Sequence, residues 1–140
     1  VPPNLWHQWS EEIAKFLPPA SFRIIAAPDG AQLKKYSPGE LCEADVVIVS
    51  YRLFHGRAYA SLRYRLKHFY WYRIIADEFH ELIAAATDSK HPFNEAKHQL
   101  CDLESCFRWG LTSTPPLKTE CEVAISATFF QQKVQRTVSS

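Results

Sequence analysis

The sequence predicts an α/β fold built on a mainly parallel sheet, and three observations carry that expectation. Asp45-Val46-Val47-Ile48-Val49-Ser50-Tyr51 sets four consecutive β-branched residues before two polar ones, a composition suited to a central parallel strand. Arg73-Ile74-Ile75-Ala76 is a second short apolar run, read as a strand buried on both faces, and it ends at Asp77-Glu78. Between and around these runs, apolar residues recur at three- and four-residue steps, and alternation of strand with helix is the signature of a parallel sheet covered by helices. In such a sheet the carboxyl ends of the strands face the ligand crevice, where Ser50-Tyr51 and Asp77-Glu78 would both lie.

Composition narrows the function classes. With 140 residues, 46% of them apolar, the chain has material for one domain with a core of its own. The net charge of +1 excludes a general polycation, so nucleic-acid binding would rest on a local patch. Cys42, Cys101, Cys106 and Cys121 form no CxxC and no zinc-type pairing with histidine, which suits structural thiols in a reducing compartment. No apolar run approaches the ~18 residues of a membrane span, and no signal peptide is apparent. The chain contains no methionine, as expected of a piece of a longer protein.

Taken in order, Val1-Pro2-Pro3 leads to Asn4, a good helix cap, and to a helix whose apolar face is Leu5, Trp6, Trp9, Ile13, Phe16 and Leu17, stopped by Pro18-Pro19. Phe22 to Ala27 reads as a strand ended by Pro28-Asp29-Gly30. Residues 31–44 are polar and mixed, with Ser37-Pro38-Gly39-Glu40 marking a loop or helix start. From Val46 to Ala76 there is no acidic residue. Arg52, Arg57, Arg63, Arg65, Lys67 and Arg73 fall there among His55, His68 and seven aromatic rings, a composition that phosphates would neutralise. The alternative is a solvated helix whose stripe of Leu53, Leu62, Leu66 and Phe69 faces the core. Glu81 to Ala86 continues as helix, Phe93 to Cys106 as another that packs Ala96, Leu100 and Leu103, Phe107 to Thr112 as a strand, and Val123 to Val134 as a last helix with Phe129 and Phe130 in the core or at a lobe interface. Arg136 to Ser140 reads as a frayed end.

Asp77 and Glu78 carry the chemistry. Adjacent carboxylates resist joint ionisation, and a divalent cation relieves the conflict. Asp77 would then hold a hydrated Mg²⁺ and Glu78 would orient or deprotonate a water. The competing reading is the acidic first turn of a helix, where carboxylates suit the dipole.

These residues, with a second stretch about thirty positions on, resemble motifs of the superfamily 2 helicase-like ATPases. Asp77-Glu78-Phe79-His80 resembles the DExH form of motif II, and Leu111-Thr112-Ser113-Thr114-Pro115 resembles the Leu-Thr-Gly-Thr-Pro motif III of the Swi/Snf branch. Val1, Pro2, Asn4, Leu5, Gln8, Trp9 and Glu12 are similar to motif Ia of that branch, and Asp45 to Tyr51 to motif Ib. The resemblance covers Val1 to about Phe130 and implies a RecA-like three-layer α/β sandwich. Residues 1–140 would form part of the N-terminal ATP-binding lobe, lacking the P-loop strand before it and the second lobe after it.

The resemblance implies an ATP-dependent translocase on double-stranded DNA, acting in chromatin remodelling or DNA repair, nuclear, with Mg²⁺ and ATP and with nucleosomes or repair proteins as partners. Asp77 would bind Mg²⁺ through water, Glu78 would be the catalytic base, and His80, Thr112, Ser113 and Thr114 would couple nucleotide state to DNA grip. Pro3, Asn4, Ser50 and Tyr51 would touch the DNA backbone, with Arg52 beside them. For Tyr51 the alternative is packing on a neighbour. Phe79 stands where Ala or Gly is commoner, Ser113 where Gly is usual, Pro116-Leu117-Lys118 replaces Leu/Ile-Gln-Asn, and residues 87–105 include a modest insertion. No Gly-x-x-x-x-Gly-Lys-Ser/Thr occurs, so the chain alone is expected neither to hydrolyse ATP nor to move DNA. Two alternatives stand beside this reading: a degenerate binding module for DNA or protein, and a DExH-type RNA helicase.

Overall fold

The computed structural model describes residues 1–18, 21–55, 57–62, 66–88, 90–91 and 93–131. The chain divides into two compact units, Val1–Tyr70 and Trp71–Ser140. Both are α/β.

The first unit is organised on two short parallel strands, β1 (Ile24–Ala26) and β2 (Val46–Ile48), paired Ile24 to Val46, Ile25 to Val47 and Ala26 to Ile48. Asp45 fixes the register at one end, accepting the Arg23 N–H at 2.7 Å, and Ala27 N–H continues the ladder to the Ile48 carbonyl at 2.8 Å. The connection carries α2 (Gly30–Leu33) and α3 (Pro38–Cys42). Asp29 caps α2 through Gln32 N–H, and Ser37 and Glu40 form a reciprocal capping box on α3, so Ser37-Pro38 is a helix start.

Helix α1 (Trp6–Phe16) packs on both strands. Asn4 is not its cap. Leu5 occupies that position without a side-chain bond, because the chain turns first at Pro2, whose carbonyl accepts the Leu5 N–H at 3.1 Å. Pro18 lies just beyond the helix, and Pro19 lies outside the described residues. The expected stripe of Leu53, Leu62, Leu66 and Phe69 is not one helix. Leu53 lies in α4 (Arg52–His55) and Leu66 in a 3₁₀ turn at Leu66–His68, with α5 (Arg57–Ala60) between them and Leu62 and Phe69 outside these elements, while Arg63 and Arg65 lie outside the described residues.

The second unit holds β3 (Tyr70–Ala76, with Tyr70 its only residue from the first unit), α6 (Phe79–Thr87), α7 (Asn94–Cys101), β4 (Glu104–Gly110) and α8 (Glu120–Phe129). Strands β3 and β4 are hydrogen-bonded neighbours. Their offset is constant from the Tyr72–Phe107 ring contact to the bond from Leu111 N–H to the Ala76 carbonyl, which only parallel strands allow. Ile74 and Ala76 are buried, whereas Arg73 is exposed and Ile75 is 40% exposed, so β3 is not buried on both faces as its composition suggested. On that second face Arg73 stacks over Trp109 with 4.1 Å from guanidinium carbon to ring centroid.

The helix expected over Phe93–Cys106 ends at Cys101, and Glu104 to Cys106 belong to β4. Arg108 explains the sharp change. Its guanidinium donates to the carbonyls of Leu100 (2.8 Å), Cys101 (3.5 Å) and Leu103, satisfying the C-terminal carbonyls of α7 and pinning them to β4. The α8 helix starts at a Thr119–Glu122 capping box and buries Ser126 and Phe129. The remainder of the Val123–Val134 helix, and the Arg136–Ser140 tail, lie outside the described residues.

Two consequences are measurable. A Cβ at Gly30 would fall 2.7 Å from Tyr59 N and 2.8 Å from Ala58 Cβ, where α2 packs on α5. Gly30→Ala should cost about 1–3 kcal/mol in urea unfolding, and an unchanged midpoint would contradict the packing. Burial pushes the Cys101 thiol up from its ordinary range, so the stability it contributes is intact below that range and is lost as pH rises through it. In mild iodoacetamide labelling read by mass spectrometry, Cys42, Cys106 and Cys121, all exposed, should react before Cys101.

Candidate functional site at the carboxyl ends of β3 and β4

One residue joins the ends of the two strands. Leu111 donates its N–H to the Ala76 carbonyl and accepts the Phe79 N–H on its own carbonyl, both at 2.8 Å. In a regular parallel ladder the second donor would be residue 78. The shift to Phe79 inserts one extra residue between the two bonds. Glu78 absorbs it by adopting φ 48, ψ 49, a left-handed backbone that non-glycine residues rarely take.

This turn directs both carboxylates. Asp77 Oδ1 accepts the Glu78 N–H at 3.0 Å. Glu78 sits at the cap position of α6 but makes no side-chain cap bond, so its carboxylate is not spent on the helix dipole's free amides. Instead Oε2 lies 3.3 Å from His80 Nδ1. The same ring nitrogen lies 2.7 Å from Thr112 Oγ1. Thr112 Oγ1 accepts from Thr114 N–H at 3.2 Å and donates to the Thr114 carbonyl at 3.3 Å. The Thr112 hydroxyl carries one proton, so which atom donates in the Nδ1–Oγ1 contact is set by the imidazole tautomer. Glu78, His80, Thr112 and Thr114 thus form one connected set. Its residues come from two strand ends that are more than thirty positions apart in sequence.

The donor set fits magnesium of one kind. Among the described residues no cluster of three or more His, Cys, Asp or Glu could enclose a metal ion. Asp77 and Glu78 are half-buried, and one or two carboxylates completed by water and substrate phosphates is the arrangement Mg²⁺ favours.

Ser113 is exposed and its backbone is not left-handed, since Glu78 and Gln131 are the non-glycine residues with positive φ among those described. The turn after β4 therefore forms without the glycine conformation that a Gly-to-Ser departure would strain. The remaining sequence candidates lie in the first unit. Pro3 is half-buried, and Asn4 and Arg52 are exposed. Ser50 is buried at 1% exposure, and its Oγ accepts the Arg52 N–H at 3.1 Å, capping the turn into α4. Tyr51, also at 1%, has its ring in the core, the packing alternative for this residue, and its N–H donates to the Val1 carbonyl at 2.9 Å. Of the acid-free run, His55, Arg57, Lys67, His68 and Arg73 are exposed.

Sequence reasoning missed Gly110 and the role of Phe79. A Cβ on Gly110 would lie 2.8 Å from Phe79 Cγ, and the Phe79 ring, 3% exposed, packs against Phe129 and Phe130. The signal was present as a bulky residue after the acidic pair and a glycine before Leu111. For the turn itself, Ser113→Gly should lower the unfolding free energy by about 0.4–1 kcal/mol, because glycine only loosens the unfolded chain here. A more stable Ser113→Gly variant would contradict the observed backbone.

No curated protein sequence matches the chain. Among solved structures, the Sulfolobus solfataricus SWI2/SNF2 ATPase core in complex with dsDNA is similar, with a TM-score of 0.66 at 23% identity over 92% of this chain. That likeness gives the fold, an incomplete RecA-like α/β lobe with parallel strands. The match spans 23% of the length of the Sulfolobus chain. The family model of the SNF2-related domain matches residues 1–130, and the chain accordingly belongs to the SNF2-related domain family.

Proposed function

We propose that this chain is the motif Ia to motif III portion of an ATP-hydrolysing translocase of the Swi/Snf type that tracks on double-stranded DNA. The observation that carries the reading is the connected set Glu78–His80–Thr112, which joins an acidic pair at one strand end to a hydroxyl at the next. The similar Sulfolobus core was solved with double-stranded DNA, which supports DNA as the partner.

In this reading Asp77 holds a hydrated Mg²⁺, which when bound neutralises charge on the transferred phosphoryl group. Glu78 orients and deprotonates the attacking water. His80, in contact with both, holds the Glu78 carboxylate and senses Thr112. A movement of the Thr112-Ser113-Thr114 turn on DNA binding is transmitted to the base through two contacts of 2.7 and 3.3 Å. Pro3, Asn4 and Arg52 are the DNA-backbone contacts with exposed or half-exposed side chains, and Ser50 and Tyr51 act by shaping the turn that presents Arg52. Chromatin remodelling or DNA repair, a nuclear location, and nucleosomes or repair proteins as partners belong to the same proposal.

The two departures that would favour a degenerate binding module, Phe79 and Ser113, are accommodated without strain. The Ser113 turn is unstrained, and Gly110 makes room for the Phe79 ring. Catalysis would require the phosphate-binding loop, so the test uses the full-length gene product. There, Glu78→Gln should abolish DNA-stimulated ATP hydrolysis while ATP affinity stays within about threefold. Loss of ATP binding with residual turnover would refute the assignment of Glu78. No turnover in the parent protein, with salt-dependent DNA binding retained, would favour the binding module.

A further inference from the structure

We infer that Phe79 is a positioning residue for the base, and that Gly110 is the seat its ring requires. The inference rests on the reading of Glu78 as the base.

A left-handed glutamate persists only if its surroundings hold it there. Glu78 has no side-chain cap bond to do so. On its amino side the buried Ala76 is fixed by the bond from Leu111 N–H. On its carboxyl side the hold passes through Phe79. The Phe79 N–H reaches the Leu111 carbonyl at 2.8 Å, one residue late for a regular ladder, and the ring beyond it determines whether that late bond is kept.

The ring is confined on three sides. The centroids of Phe129 and Phe130 lie at 4.9 and 5.2 Å, and Phe129 is itself 2% exposed. The third side is Gly110. A Cβ there would lie 2.8 Å from Phe79 Cγ, 3.0 Å from Phe79 Cδ1 and 3.1 Å from Phe130 Cζ. Two of these contacts are with the ring of Phe79, whose backbone is tied to the neighbouring strand, so little can shift to admit a methyl group. Gly110 is needed for space, not for dihedral freedom, since no described glycine has positive φ.

Ring, seat and late hydrogen bond together fix the residue that follows Glu78, and so fix the direction of the Glu78 carboxylate toward His80. The bulk that departs from the commoner Ala or Gly at this position is therefore matched by the absence of a side chain on the facing strand. Helix α8, which supplies Phe129 and continues into Phe130, becomes part of the support of the site although it contributes no polar group to it.

The test uses the full-length gene product, with steady-state ATP hydrolysis on double-stranded DNA, at a temperature where circular dichroism shows each variant folded. Phe79→Ala should lower kcat about ten- to a hundredfold and leave the KM for ATP within about twofold. Gly110→Ala keeps the ring but removes its seat. It should give a smaller loss of the same kind, and it decides the matter if Phe79→Ala does not fold. In the Phe79→Ala/Gly110→Ala double variant the added methyl has no ring to displace, so its kcat should be no lower than that of Phe79→Ala alone. Additive losses in the double variant, or single variants with lowered Tm and the parent's kcat, overturn the positioning role. Glu78→Gln measured alongside separates the two failures. Turnover that survives Glu78→Gln overturns the reading of the base and this inference with it. Turnover lost in Glu78→Gln but intact in Phe79→Ala and Gly110→Ala overturns the positioning role alone.

Discussion

The pair of backbone bonds at Leu111 is the constraint on which the candidate site depends. Its N–H fixes Ala76 and its carbonyl fixes Phe79, leaving Asp77 and Glu78 as the two residues between. A regular parallel ladder would leave one residue there. The extra residue has to go somewhere, and Glu78 takes it up in the left-handed region. The acidic pair is thus lifted out of the sheet by hydrogen-bond register, not by its own charge. The same rung places Thr112, the residue after Leu111 beyond the end of β4, beside His80 on the first turn of α6. Register, backbone conformation and the His80–Thr112 contact are consequences of one arrangement.

This arrangement explains why a chemically unremarkable threonine matters. Glu78 and His80 lie two residues apart on the same turn and would move together. Thr112 is anchored on the neighbouring strand and to the Thr114 backbone. The one contact at 2.7 Å between Nδ1 and Oγ1 is therefore where the two strand ends report on each other. Exposed Ser113 and Thr114 flank that contact, so a ligand pressing on the turn would reach Glu78 through a single hydroxyl.

The sequence exposed the chemistry better than the boundaries. The apolar runs with polar ends located β2, β3 and the acidic pair, because parallel strands concentrate β-branched residues and place their functional groups at carboxyl ends. Asn4 misled because helix capping is local, whereas the chain here is already turned at Pro2. The α7–β4 boundary was displaced because its cause is Arg108, which caps α7 from seven and eight residues downstream through two carbonyls and binds a third, that of Leu103, in the connection. The stripe from Leu53 to Phe69 kept helical spacing through segments that are separate turns. Ser50 and Tyr51 were expected at the DNA backbone, with packing the alternative for Tyr51, and a buried hydroxyl that caps the next turn has the same sequence signature. Gly110 was missed for a different reason. Its significance lies in the Phe79 ring at the start of α6, so the bulky residue and the glycine are both visible in sequence but their contact is not a local pattern.

The donor set also bears on how metal and nucleotide would be taken up. Asp77 and Glu78 are adjacent, and one Asp77 oxygen already accepts the Glu78 N–H. Among the described residues no group of three or more acidic, histidine or cysteine side chains could hold a metal ion, although His80 lies beside Glu78. A cation held by so few protein oxygens keeps most of its water and gains affinity chiefly from phosphate oxygens that arrive with it. On the proposed reading, metal and nucleotide therefore bind as one unit. The left-handed turn at Glu78 has the complementary role of holding the second carboxylate toward His80. That separates a carboxylate that binds from one that must remain free to accept a proton.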